Sequence, residues 1–257
     1  MRSLPDSSAQ VRENAFYELR CLAAYFVHSD LATGIPVSMS IAVSVVSLFA
    51  YAGLAVLVLR HDRRSRANRL FLLYLLAMIY WQFNALMVSL STSATMATFW
   101  YQMMLTGGIF AVLYFHFTVA YLHVGGRKES VLLSVGYAFA LVLGLLSLAF
   151  PDLAIASVHR KGTGLYVPEF APLMYVHGLF VYFYLGLGMV ELVVHYRKTS
   201  SPLLRNGLRY LILGVSIVFL GAVSNFSSPL QGYPVDIIAN LANAILIAYA
   251  ILRYRLL

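Results

Sequence analysis

Arg60-His61-Asp62-Arg63-Arg64-Ser65-Arg66-Ala67-Asn68-Arg69 packs five arginines into ten residues, and a long apolar run lies directly on each side of it. Upstream, Ile35 to Leu59 carries no charge; downstream, neither does Leu70 to Leu90. Each run is close to the about 20 residues that cross a hydrocarbon layer roughly 30 Å thick. A loop this basic stays on the cytoplasmic side of a membrane, so the first run passes inward and the second returns.

Five further apolar runs follow, at Phe99 to His123, Val131 to Phe150, Leu173 to Val194, Leu208 to Phe226 and Val235 to Leu252. They predict an all-α integral membrane protein, a bundle of seven transmembrane helices with its N-terminus outside and its C-terminus cytoplasmic. Alternating the loops from the arginine-rich one places thirteen Lys and Arg inside and five outside (Arg2, Arg12, Arg20, Arg160 and Lys161). A missed or false span would have scrambled that asymmetry. Only 11% of the chain is charged and 61% is hydrophobic, against roughly 25% charged residues in soluble domains. The net charge of +8 sits in short loops, where it orients the chain. It predicts a lipid bilayer as partner, in the inner (plasma) membrane, and no nucleic acid. Trp81, Trp100 and tyrosines near the span ends fit interfacial aromatic belts.

Two domains are expected: an outer N-terminal segment, 1–34, and the seven-span domain, 35–257. The segment lacks the basic start and apolar core of a signal peptide. Val11, Ala15, Leu19, Leu22 and Phe26 recur at helical spacing, which predicts an amphipathic helix on the membrane surface; a loose tail is the alternative. Cys21 is the single cysteine, so no intrachain disulfide forms. The outer loop from Pro151 to Pro172 reads either as a hairpin, with strands Ile155 to Arg160 and Leu165 to Phe170 about a Lys161-Gly162-Thr163-Gly164 turn, or as an irregular cap.

Several membrane chemistries lack their obligatory residues. A retinal Schiff base needs a lysine inside the bundle, and Lys128, Lys161 and Lys198 all fall in loops. No His-Glu-x-x-His or close histidine group supplies a metal site, and no span carries a voltage sensor's repeated arginines. No catalytic residue, metal or cofactor is implied.

Polar residues inside the spans remain. His177, Tyr184 and Glu191 repeat every seven residues along one face of the fifth span. His116 in the third span and Glu191 lie at a similar depth, so an intramembrane His116–Glu191 pair would lower the cost of both. Alternatively, Glu191 reaches the interface and His116 bonds a backbone carbonyl. Asp236, Asn240 and Asn243 form a stripe on the seventh span, and Gln82 and Asn84 place amides in the second. Such groups either join helices by hydrogen bonds or line a ligand cavity open to the outside. Under the second reading the candidate ligand-binding residues are Gln82, Asn84, His177, Tyr184, Asn240 and Asn243. Gly107, Gly108, Gly186, Gly188, Gly214 and Gly221 read as sites of close helix approach.

The order of several short runs resembles a known family. Arg66-Ala67-Asn68-Arg69 precedes an apolar helix with Trp81, Phe115-His116-Phe117 lies in the third span, and Gly164-Leu165-Tyr166-Val167-Pro168 in the outer loop. Tyr196-Arg197-Lys198 precedes the sixth span, Gly214 lies within it, and Tyr249-Ala250-Ile251-Leu252-Arg253-Tyr254-Arg255-Leu256-Leu257 closes the sequence. Over about residues 35–257 the chain is similar to the seven-transmembrane N-terminal sensor module of bacterial histidine kinases. In that family the last run leads into a cytoplasmic output domain; nothing in these residues resembles a kinase, cyclase or phosphoacceptor domain. The resemblance implies a non-enzymatic receptor that relays an outer-side or membrane-borne signal through its seventh helix to a cytoplasmic output domain or separate protein, with a small-molecule ligand. The rival expectations are a structural subunit packed among neighbouring membrane subunits and, third, a transporter, for which repeats and broken helices would be the sign.

Overall fold

A computed structural model describes residues 31–61, 65–162, 164–227, 230–231 and 233–254, without the side chains of residues 31–36 and 61. The expected amphipathic stretch between Val11 and Phe26, and Cys21 with it, lies outside the described residues. Seven helical segments are long and apolar enough to cross a membrane. In order they are α1 (Leu31–His61), α2 (Arg66–Ser89), a two-part third span of α3 (Ala94–Thr106) and α4 (Ile109–Tyr121), α5 (Arg127–Ala149), α6 (Pro172–Lys198), α7 (Pro202–Val223) and α8 (Val235–Tyr254). A short antiparallel hairpin, β1 (Ile155–Arg160) with β2 (Tyr166–Phe170), fills the loop before α6. Outer and cytoplasmic faces are named here by the distribution of basic residues.

Five of the seven spans begin several residues before their apolar runs, for local reasons. Ser65, Ser93 and Ser201 accept hydrogen bonds from the backbone N–H groups of Asn68, Met96 and Leu204, capping donors that the first turn leaves unpaired. Pro172 and Pro202 occupy first-turn positions where no N–H is needed.

The third span is the centre of the bundle. Its most apolar stretch is 67% buried within the chain, against 22% for α5. α2, α5 and α6 all pack on its two parts, whereas α5 barely meets α6. The remaining spans close a ring, α6 to α7, α7 to α8, and α8 back to α1. The α5 helix therefore sits outside this ring. It is keyed to α6 by Tyr184, whose ring lies against Gly136 and whose hydroxyl donates to the Leu132 carbonyl at 2.8 Å.

The sequence reads the third span as one helix over Phe99 to His123; the structure interrupts it at Gly107-Gly108. There the backbone bonds tighten to i→i−3, with the Gly107 and Gly108 N–H groups reaching Met104 and Leu105 at 2.9 and 3.2 Å. The His177 imidazole lies where a Cβ on Gly108 would stand, so a side chain there is excluded. Gly188, Gly214 and Gly221 also accept close neighbours, but Gly186 has nothing near it and does not serve helix approach.

Three polar contacts fix how α1, α2 and α8 meet. Ser40 and Ser89 share a hydrogen bond at 2.8 Å, Tyr51 donates to the Asn240 carbonyl at 2.9 Å, and Asn243 donates to the Tyr74 hydroxyl at 3.4 Å. Around them, Tyr51, Phe71, Leu75, Met78, Phe115 and Phe117 form the tightest part of the core, each essentially inaccessible.

Candidate functional site

At the outer end, the break at Gly107-Gly108 and the hairpin enclose a cavity of about 170 Å³. Its body is apolar: Trp81 and Val88 from α2, Leu105 and Phe110 flanking the break, Val181 from α6 and Ile237 from α8 line it. β2 contributes Tyr166, Val167, Pro168 and Phe170 as a roof. Four hydrogen bonds hold that roof down. Tyr101 donates to the Tyr166 carbonyl at 2.8 Å and Tyr166 to the Thr92 carbonyl at 3.1 Å; Gln231 donates to Pro168 at 2.9 Å and Lys161 to Gln231 at 2.6 Å. The outer loop is thus the hairpin of the two expectations, not the irregular cap.

The polar groups of this cavity are few. His177 is 4% exposed, and both of its ring nitrogens lack a hydrogen-bond partner. The Tyr182 hydroxyl is likewise buried and unpaired. Asp236 lies in the first turn of α8, where the helix dipole favours a carboxylate, and accepts from Asn225 at 3.3 Å. An imidazole always carries at least one N–H, so His177 buries a donor that nothing in the described chain accepts. Leaving such a group unmet costs about 1–3 kcal/mol, and a bound molecule that meets it recovers that energy.

Of the six candidate ligand-binding residues, His177 alone lines this cavity. Gln82 and Asn84 are fully buried in the bundle; Asn84 donates to its own helix at Tyr80 (2.7 Å), and both amide atoms of Gln82 are unpaired. The Ser40–Ser89 bond sets the antiparallel register of α1 and α2, which brings Ser47 level with Gln82, seven residues along each helix. Asn240 and Asn243 face α1, α2 and α7, and Tyr184 serves the α5–α6 joint. Of these side chains only Asn243 and Tyr184 hydrogen-bond to another helix, and none of the five lines the outer cavity.

His116 and Glu191 do not pair. His116 faces α5 and α2: one ring nitrogen meets the Tyr137 hydroxyl at 2.9 Å, the other the Arg66 guanidinium at 3.3 Å. Glu191 stays on its own helix, 4.0 Å from His195 at i+4. Shared depth placed the two at one level, but their helix faces point to different neighbours. Arginine only donates, so Nε2 of His116 accepts and Nδ1 carries the proton toward Tyr137.

Residues 41–257 match the family described as the N-terminal 7TM region of histidine kinase. The chain belongs to this family. No curated protein and no solved structure matches it. The family match agrees with the seven spans and makes the chain a multi-pass membrane module of the histidine-kinase sensory type. Tyr182 and Phe110 belong to the aromatic clusters that the sequence offers as pocket walls, but it offered little to mark Tyr101 or Trp81, because one aromatic in an apolar helix looks like another. The hairpin itself was more legible, as two short runs about the Lys161-Gly162-Thr163-Gly164 turn.

Proposed function

We propose that this module senses a small, largely apolar ligand bearing one hydrogen-bonding group, held in the outer cavity with that group on His177. The observation behind this reading is an imidazole nine-tenths buried, unpaired at both nitrogens, in the wall of an otherwise apolar cavity. An apolar cavity of roughly 150 Å³ holds benzene, so about 170 Å³ suits a ligand of one ring or a short chain. The cavity wall includes Asp236 and Ile237, the first turn of α8. Occupancy therefore acts directly on the seventh helix, which runs from the cavity to the cytoplasmic side and there meets an output domain or a separate signalling protein. The membrane is the cell's inner membrane. The structural-subunit reading accounts for the helix joints at Asn243 and Tyr184 but gives the unpaired His177 no task.

The test uses the purified full chain with Trp100→Phe, which leaves Trp81 as sole tryptophan, and titrates benzyl alcohol against toluene. A saturable change in Trp81 emission is expected, with benzyl alcohol binding about 2–10-fold tighter, the worth of one net hydrogen bond. His177→Leu should erase the preference. No saturable response to either compound, or a preference unchanged in His177→Leu, refutes the reading.

A further inference from the structure

A second cavity, of about 730 Å³, opens at the cytoplasmic end of the bundle. It lies between the start of α2 (Ser65 to Asn68) and the turn from α4 to α5 (His123 to Arg127), with His116 and Leu133 deeper in its wall. Two guanidinium groups, Arg66 and Arg127, line it against a single carboxylate, Glu129. Among the described residues neither arginine is in an ion pair; the ion pairs there lie at His159–Glu169 and Glu191–His195. Glu129 is turned back on the start of its own helix, where a Cβ on Gly126 would stand 2.6 Å from its carboxylate oxygen.

Arg66 is also aimed. Its guanidinium donates to Nε2 of His116, whose Nδ1–H is engaged by Tyr137 on α5, so a chain of three side chains from three spans sets its direction. A positive-inside arginine needs only to be near the headgroups; it needs no imidazole to orient it. We propose that this cavity binds a phosphate-bearing anion, its phosphate oxygens taken by the forked donors of Arg66 and Arg127. The volume exceeds what a bare phosphate fills, leaving room for the alcohol it esterifies. Two sources supply such a group at this depth, an anionic phospholipid of the cytoplasmic leaflet and a soluble phosphorylated metabolite. Occupancy ties α2, α4 and α5 together at the cytoplasmic end, away from α8.

The experiment takes the purified full chain in uncharged detergent and measures binding by native mass spectrometry and by thermal stability. The probes are dioleoyl phosphatidylglycerol, the matching phosphatidylcholine, and inorganic pyrophosphate. Saturable binding of the phosphatidylglycerol over the phosphatidylcholine assigns a lipid headgroup; saturable stabilisation by pyrophosphate that displaces the lipid assigns a soluble anion. In either case the pair Arg66→Ala with Arg127→Ala should weaken binding about tenfold or more. Arg197→Ala with Lys198→Ala, an equal loss of charge at the end of α6, should change it less than about twofold. The pair Arg66→Lys with Arg127→Lys retains charge and fold but loses the fork, and should weaken binding several-fold. Binding of neither probe, or equal weakening by the two alanine pairs, overturns the proposal.

Discussion

Replacing Gly214 by alanine tests how closely α7 and α8 are fitted. The new Cβ would stand on the Asn243 amide oxygen, with the Asn243 Cγ at 3.4 Å and its Cα at 3.8 Å behind it. Asn243 cannot swing aside freely, because it is 3% exposed and its Nδ2 reaches the Tyr74 hydroxyl. Overpacking of this kind costs about 1–3 kcal/mol, while alanine's better helix propensity returns about 1 kcal/mol. The single variant should therefore lose up to about 2 kcal/mol. Asn243→Ala alone forfeits an interhelical hydrogen bond of about 0.6–2 kcal/mol. In the double variant the clash is gone, so it should be more stable than the sum of the two singles by about 1–3 kcal/mol, well beyond the roughly 0.5 kcal/mol scatter of independent sites. Reversible unfolding in mixed micelles, followed by circular dichroism, measures all four corners of the cycle. A coupling energy within about 0.5 kcal/mol of zero would show that Gly214 and Asn243 do not occupy one another's space.

Three further outcomes are expected. In a Cys21→Ser background, a cysteine at Thr199 should react with a membrane-impermeant maleimide only from the cytoplasmic side and one at Gly162 only from outside, as scored in oriented vesicles; the reverse labelling sinks the topology. His123 has a positive φ of 55° at the end of α4, where Val124 N–H closes on Val119 at 3.0 Å, and a left-handed conformation there favours glycine. Thermal unfolding of His123→Gly should show a gain of about 1 kcal/mol. Tyr137→Phe removes the hydroxyl that engages His116 and should cost about 0.5–1.5 kcal/mol; a variant as stable as the parent would mean the Arg66–His116–Tyr137 chain is not formed.

The seven spans were legible because apolar length and basic asymmetry are both one-dimensional signals. Their starts were not: Arg66, Ala94, Arg127 and Pro202 are polar or interfacial first turns that hydropathy excludes, and Ser65, Ser93 and Ser201 were the capping residues that would have extended three of them. Azimuth was not readable. His116 and Glu191 were expected at one level, yet which neighbour each face meets depends on where α5 packs, outside the ring. The Gly107-Gly108 pair was noticed, but its consequence lay in a histidine about seventy residues away. His177 was singled out by its burial cost alone, and that argument reached a cavity wall; the amides selected on the same ground reached the bundle interior, where only Asn243 bonds a side chain of another helix, since the cost of burying a polar group says nothing about which partner meets it.

The contact between Tyr51 and Asn240 also has a bearing on how the protein is made. Of the seven spans α1 is synthesised first and α8 last, yet the ring closes only between these two. Until α8 leaves the ribosome, the Tyr51 hydroxyl faces hydrocarbon without its acceptor, and Asn240 is still being translated. The nascent chain therefore passes through a six-span stage with an open seam along α1, and the interval before the final helix inserts is the window in which lipids, chaperones or a second nascent chain compete for that seam.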